Sequence, residues 1–423
     1  MFWPLDLTSY LASGALQILI TTTCIVATPK GSLFRYAAIP CIVWLAYHLI
    51  QPYDGASPTL CSALTHLILM AVQAVNLLLL NPLDDTDLAR EDPKHSLFLS
   101  DRIYHAAELL SQFRAIGTSR QIKSVPAQPA YYGRQGKISR GRFLLRQSVF
   151  FLWQYLVLDL MQALARQKAF QEGDSPGFSH IDWFVPVDQW VERGLTNLTV
   201  WFALSRIVID AHYRLSSVVF VGSGLDVAAN WPPLFGSMAD VYTIRKFWGK
   251  FWHQYLRQPF TAVSNFIARD VLHLPRPSIL ERYTNIFLVF LLSGMLHVIV
   301  DHIQTVPYEY SGSLIGFPIM ALGIMLEDGV QALWKTLSSS AGKEPSSDEE
   351  SVPPLWQRAV GYIWTMTWLA VTSTWYLHPI LQLPGDLATL VPLSLCEKIG
   401  VQPLGSIIVG TGLLVGFIFG AEI

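Results

Sequence analysis

Long apolar runs, separated by polar connections, recur along the whole chain. Nine runs approach the roughly 20 residues that a helix needs to cross a bilayer. They are Ser9–Ala27, Leu33–Ile50, Leu60–Leu80, Leu144–Ala165, Asn197–Ile209 (extended at its start), Thr284–His302, Leu314–Leu333, Trp356–Leu377 and Leu404–Gly420. The pattern predicts an all-α, polytopic integral membrane bundle with about eight or nine transmembrane helices.

Polar connections separate the apolar runs, but we expect residues 1–423 to form a single membrane domain. Residues 81–143 form a long loop with polar helical patches and a turn-rich end. Residues 337–354 form an acidic, serine-rich linker that we expect to be disordered, because its composition buries little apolar surface. Val218–Asn230 is too short and too interrupted by glycine for a span, although it suits a re-entrant segment.

Positive and negative residues concentrate in different connections, although the net charge of the chain is only -2. The loop at 81–143 and the stretch from Arg245 to Arg282 are rich in arginine and lysine, whereas Gln167–Asp188 is acidic. The positive-inside rule therefore places the two basic regions in the cytosol.

Composition narrows the classes of function. Hydrophobic residues make up 52% of the chain and charged residues 14%. No basic domain is present, so we expect the lipid bilayer and no nucleic acid as a partner. The four cysteines have no paired spacing, and we interpret them as small apolar residues rather than disulfides or metal ligands.

One histidine lies inside an apolar span. His297 falls near the end of the run Thr284–His302. Ionisable side chains within spans are rare and face the protein interior or a wet cavity, so His297 is a candidate catalytic base. The alternative is a histidine that pairs helices or reaches the interface, and this helix alone does not separate the two.

A second histidine lies within an aromatic and basic segment. Arg245 to Gln258 reads RKFWGKFWHQYLRQ, and His253 stands in it 44 positions before His297. The segment is typical of a short helix along the cytosolic interface. The prolines at 275 and 277 allow it to fold back against the span, which would bring both histidines to one cavity.

Two polar residues close the same span. Asp301 stands four positions after His297, where a carboxylate can orient an imidazole. We favour the other interpretation, a solvated carboxylate at the lumenal end of the helix, and we interpret His302 as interfacial.

At these residues the chain resembles a known family. Phe247 to Gln254, FWGKFWHQ, is similar to the FWGRRWHQ-type signature of wax synthase-like acyltransferases, a branch related to the membrane-bound O-acyltransferases. Ser293 to His297, SGMLH, resembles the helix of that family with an intramembrane histidine. Within the branch, the chain is most similar to fungal enzymes that acetylate hydroxyls of terpenoid and meroterpenoid metabolites. The broader superfamily often has asparagine or aspartate at the position of His253, which leaves the second catalytic residue open.

The resemblance implies transfer of an acyl group, most simply acetyl from acetyl-CoA, to a hydroxyl of a lipophilic alcohol. It implies no bound cofactor or metal, and a multi-pass protein of the endoplasmic reticulum membrane. His297 and His253 would be catalytic. The expected binding residues for substrate and coenzyme A are Trp248, Lys250, Trp252, Gln254, Arg257 and Ser293.

Other functions remain open at this point. A long-chain wax-ester synthase acting on fatty alcohols would use the same motifs. A membrane zinc hydrolase would need three ligands, for which His253, His297 and Asp301 are candidates. A transporter would spread its polar residues over several spans, whereas here they concentrate in residues 245–302.

Overall fold

In a computed structural model of the protein, every regular element among the described residues is helical. The structure describes residues 7–50, 57–91, 98–133, 138–172, 177–340, 353–383 and 389–420. The all-α architecture expected from the hydrophobic pattern is therefore confirmed.

Many helices follow one another with short connections, whereas long connections separate α5 from α6 and α8 from α9. In chain order they are α1 (Leu7–Ala27), α2 (Leu33–Tyr47), α3 (Pro58–Val75), α4 (Asp85–Glu91), α5 (Leu99–Ser111), α6 (Arg140–Glu172), α7 (Val187–Asn197), α8 (Ser205–Ser223), α9 (Ile244–Lys246), α10 (Arg257–Asn265), α11 (Ile279–Ile303), α12 (Ser313–Gly316), α13 (Pro318–Ser340), α14 (Leu355–Thr372), α15 (Thr374–Ile380), α16 (Cys396–Ile399) and α17 (Val401–Phe419). Wider π-helical turns continue α3, α7, α9 and α10 at residues 76–80, 198–204, 247–251 and 266–271.

Within the described residues, six helical stretches are long and apolar enough to cross a membrane. They are Thr8–Ala27, Leu60–Leu80, Arg140–Lys168, Ile279–Ile303, Ser313–Leu337 and Val401–Phe419. The other three expected spans fall on less regular helices. The second is only 15 residues long in α2, the fifth crosses the junction of α7 and α8, and the eighth is divided between α14 and α15.

Two connections differ from the sequence-based picture. Residues 337–340 of the predicted disordered linker continue α13, and residues 341–352 lie outside the described part of the chain. The suspected re-entrant segment begins as the last turns of α8, which end at the left-handed Gly224. A glycine suits this position because it adopts positive φ without a steric penalty.

Helix α11 begins and packs in a way that its sequence explains. The Ser278 hydroxyl accepts a hydrogen bond from the Glu281 backbone N–H, which caps the first turn. Further along, Gly294 lets α11 approach α12 closely, since a Cβ atom there would lie 2.8 Å from the Ser313 carbonyl oxygen. Gly312 likewise lies against Trp375, the carbonyl oxygen of which would be 1.9 Å from an added Cβ. These contacts lock α11, α12 and α15 together.

Two large apolar clusters make up the core, and α11 contributes to both. One joins α1, α2, α3 and α5 to α11 through residues such as Ile42, Leu64 and Leu296. The other is mainly aromatic and joins residues 201–252 to α13 and α14, with Phe247 and Phe317 near its centre. The candidate site lies where these clusters meet.

Candidate active site

A large cavity of about 2000 Å³, partly open to the outside, is lined by residues of both clusters. Its walls come from α1, α3, α5 to α8, α10, α11, α13, α15 and the chain around α9. Most of the residues singled out in the sequence lie on its wall, namely Trp248, Trp252, His253, Gln254, Arg257, Ser293 and His297. Lys250 does not; it is exposed.

The His297 imidazole is held in one orientation. Its Nδ1 lies 2.7 Å from the Ser293 backbone carbonyl oxygen, one turn earlier in α11. Because a carbonyl oxygen only accepts hydrogen bonds, Nδ1 carries the proton and Nε2 carries the free lone pair. The ring stacks on Phe317 at 4.0 Å between centroids and meets Tyr376 edge-on at 5.2 Å. In its neutral form the imidazole therefore has its basic nitrogen at Nε2, and His297 lines the cavity.

His253 lies in a non-helical bend rather than on a helix at the membrane surface. The aromatic segment before it is helical over residues 244–251, as predicted, but its rings are part of the core, with Phe247 and Trp252 buried, so it is not a separate helix along the surface. The ring lies 6.0 Å from that of Phe235, and its Nδ1 is buried with no hydrogen-bond partner among the described residues. Burial, and to a smaller extent the charge of a protonated His297, lower the pKa of His253 to about 3. His253 is therefore neutral near pH 7.

Trp248 adds a second unpaired group to this wall. Its indole N–H is buried without a hydrogen-bond partner among the described residues. The ring packs edge-on against Phe290 at 5.5 Å and lies 6.4 Å from Trp201, which in turn contacts Phe317 beneath His297. Buried donors usually have a partner, so this N–H is an exception that the described residues do not satisfy.

Gln254 has a structural role in this geometry, although we expected it to bind substrate. Its amide donates to the backbone carbonyls of Trp248 and Trp252, at 3.1 and 2.5 Å. Its side-chain oxygen accepts from Arg257 at 3.0 Å. These bonds fix the bend that carries His253. The Ser293 backbone carbonyl orients His297.

Arg257 joins two distant parts of the chain at one side of the cavity. Its guanidinium donates to the Gly249 carbonyl and, at 3.0 Å, to the carbonyl of Lys123 in the loop between α5 and α6. Lys123 and Lys250 are both exposed beside these carbonyls. The sequence did not reveal Lys123, since 134 positions separate it from Arg257. We refer to Lys123, Lys250 and Arg257 as the cationic rim.

The rest of the basic stretch is largely neutralised by carboxylates. Arg245 and Arg282 both pair with Asp328 of α13, and Arg269 pairs with Glu281. These arginines join helices to one another, so they are less suited to hold an anionic ligand than the cationic rim is.

Asp301 is buried, not solvated, and the expectation of a helix-end carboxylate in water is wrong. It is 1% exposed, and one of its oxygens accepts hydrogen bonds from the hydroxyls of Ser311 and Ser313 at 2.6 and 2.8 Å. No hydrogen bond joins it to His297 among the described residues. Asp301 therefore fixes the loop before α12, while the Ser293 carbonyl orients the imidazole. His302 is half-buried and stacks on Tyr308.

The described residues hold no group of three histidine, cysteine or carboxylate side chains placed to bind one metal ion. The zinc-hydrolase hypothesis needs such a group, and its three candidate ligands do not supply it. What the arrangement supplies is a neutral base, neutral hydrogen-bond donors and an apolar cavity. These groups suit proton abstraction from a hydroxyl and stabilisation of a nearby oxyanion.

Comparison with known proteins identifies the family of the chain. The model of the membrane bound O-acyl transferase family matches residues 231–319, which include both histidines. The acetyltransferase atnC of Arthrinium sp is 38% identical, with 97% of this chain and 96% of the relative covered. The acetyltransferase spyB of Aspergillus fumigatus is 38% identical, with 96% of this chain and 70% of the relative covered. The acetyltransferase TRI7 of Fusarium sporotrichioides is 34% identical, with 94% of this chain and 93% of the relative covered. No solved structure matches significantly. The chain belongs to the membrane-bound O-acyltransferase family and is a multi-pass membrane acyltransferase.

Proposed function

We propose that the protein moves an acetyl group from acetyl-CoA to a hydroxyl of a lipophilic secondary metabolite, such as a terpenoid or meroterpenoid. The observation that carries this proposal is His297, which has its proton fixed on Nδ1 and its free lone pair on the wall of a large apolar cavity. The names of the relatives, all acetyltransferases, favour acetyl over a longer acyl group.

In the proposed step, Nε2 of His297 takes the hydroxyl proton as the alcohol oxygen attacks the thioester carbonyl. The new C–O bond forms, the carbonyl oxygen becomes an oxyanion, and the C–S bond then breaks. The leaving thiolate of coenzyme A takes the proton back from His297. General-base catalysis of this kind contributes about 10²- to 10⁴-fold in rate.

His253 and Trp248 are the proposed partners of the oxyanion. Both carry a buried nitrogen without a hydrogen-bond partner among the described residues. A neutral imidazole and an indole each offer one N–H, and such donors stabilise the charge that develops in the transition state. Trp252 would pack against the thioester end of the donor.

The cationic rim is the proposed site for the phosphates of coenzyme A. Lys123 and Lys250 are exposed and have no acidic partner among the described residues, whereas the arginines further along the chain are paired. Arg257 fixes the position of the backbone that carries them. By the positive-inside rule this side faces the cytosol, where acetyl-CoA is available, and the membrane would be the endoplasmic reticulum.

The acceptor would reach the cavity from the lipid bilayer. Its walls are mostly apolar and aromatic, including Phe113, Tyr213, Phe260 and Phe290. A site of this type suits a bulky alcohol with few charges.

The test is to incubate membranes containing the protein with labelled acetyl-CoA or palmitoyl-CoA and a panel of terpenoid and fatty alcohols. We expect labelled acetate esters of terpenoid alcohols. Transfer of palmitoyl to fatty alcohols in preference would instead identify a wax-ester synthase, and no transfer to any alcohol would contradict the proposal.

A further inference from the structure

Helix α3 places three polar side chains on the cavity wall, well outside the segment that carries the recognised motifs. They are Ser62, Thr65 and His66. Residues three and four positions apart share one face of a helix, so the three form a small polar patch in an otherwise apolar span. We call it the α3 patch.

The α3 patch is not satisfied by the protein itself. No hydrogen bond joins any of its three side chains to a described residue. Other helical hydroxyls in the molecule behave differently: those of Thr22, Ser111 and Thr372 donate to carbonyls of their own helices. The three residues are half-buried on the cavity wall, so their polar atoms are available to a ligand or to water inside the cavity.

His66 and His297 lie on the wall of the same cavity, although they belong to different helices. Helix α3 packs against α11, and Leu64 of α3 and Leu296 of α11, each close in sequence to one of the two histidines, belong to one apolar cluster.

The His66 ring is also held in place. It packs against Phe113 at 5.0 Å between centroids, and Phe113 contacts Tyr255, which neighbours His253. The α3 patch and the base thus face one cavity from two different helices, with the space for the acceptor between them.

We propose that the α3 patch binds a second oxygen function of the acceptor, a hydroxyl or carbonyl away from the reacting group, and so selects which hydroxyl reaches His297. Imidazole and hydroxyl groups both donate and accept, so they match neutral oxygens of either kind. The acceptor class is therefore a rigid lipophilic alcohol with at least two oxygen functions. This inference rests on the proposed function, since it concerns the acceptor of the same reaction.

The experiment uses a rigid lipophilic alcohol with two oxygen functions that the wild-type protein acetylates in membranes. It is compared with its analogue, in which the non-reacting oxygen function is replaced by hydrogen. Three variants are compared with wild type: His66→Leu, His66→Gln, which keeps a donor and an acceptor, and the control Met70→Leu on the same cavity-lining helix. Acceptor KM, acetyl-CoA KM, kcat and the position of the new ester are measured.

His66→Leu should raise the acceptor KM about 10-fold for the parent alcohol, yield mixed esters, and leave the acetyl-CoA KM unchanged. The analogue should have the same KM with wild type and His66→Leu. His66→Gln should recover part of the loss, and Met70→Leu should change little.

Equal effects on the parent and the analogue would overturn the proposal, because the patch would then bind only water or support packing. If wild type acetylates singly oxygenated terpenoid alcohols as efficiently as their oxygenated parents, the proposed function stands and this inference fails. If wild type acetylates no alcohol, both fail.

Discussion

Helices α11 and α3 each bring a histidine to the same cavity, but they hold it differently. His297 is fixed at Nδ1 by the Ser293 carbonyl and stacked on Phe317, so one nitrogen has a defined task. His66 is packed against Phe113 and bonds to no described residue. The comparison distinguishes two uses of a buried imidazole: a group orientated by the protein suits proton transfer, whereas a group left unsatisfied suits binding of a ligand.

The close contact of α11 with α12 is the feature that most affects the first of these histidines. Gly294→Ala adds a Cβ atom 2.8 Å from the Ser313 carbonyl oxygen, which must push α12 and Phe317 away from His297. We expect kcat to fall about 10²-fold, since an error of about 1 Å at a reacting group has that cost. Acetyl transfer in membranes measures it, with Gly329→Ala as control because nothing lies within 4 Å of an added Cβ there. Near-normal kcat for Gly294→Ala would show that the packing does not position the base.

Substitution of Asp301 tests which group orients the His297 imidazole. Because its carboxylate bonds to Ser311 and Ser313 and not to the imidazole, we expect Asp301→Asn to lower kcat less than about 10-fold and to lower stability by about 1–3 kcal/mol. Initial rates and thermal unfolding in detergent check both. A loss of kcat near 10⁴-fold, as follows when a histidine loses its orienting carboxylate, would assign that role to Asp301 instead.

The cationic rim should affect the donor and not the acceptor. We expect Lys123→Ala to raise the acetyl-CoA KM a few-fold, because one exposed charge pair contributes only a small binding free energy. The substitution should also weaken the dependence of that KM on salt concentration. Arg276→Ala is the matched control, since Arg276 is an exposed cation of the second basic region, on the same predicted side of the membrane, but is not part of the cationic rim. Equal donor KM values for the two variants would remove Lys123 from the donor site.

The acidic linker should have the smallest effect. Deletion of residues 341–352 is expected to change specific activity by no more than about two-fold, because their composition suits neither a packed core nor an anionic donor. Activity is normalised to the amount of protein in the membrane. Loss of transfer with normal accumulation would show that this segment contributes to the site.

Hydrophobic periodicity was sufficient to predict the all-helical membrane fold, and the rule that ionisable groups in spans have functions was sufficient to find His297. The same rule, applied to His66 within Leu60–Leu80, would have identified the α3 patch. Lys123 was beyond reach, since only the folded loop brings it to Arg257. The sequence also does not show which polar groups are already satisfied, so neither the burial of Asp301 nor the hydrogen bonds of Gln254 could be predicted.

The central claim is that His297 is the base for acetyl transfer, and the most direct test compares His297→Ala with wild type in membranes supplied with labelled acetyl-CoA and an accepted alcohol. The account predicts a loss of about 10²- to 10⁴-fold in kcat with similar protein accumulation and a similar acetyl-CoA KM. A rate within a few-fold of wild type in a variant that accumulates normally would contradict it.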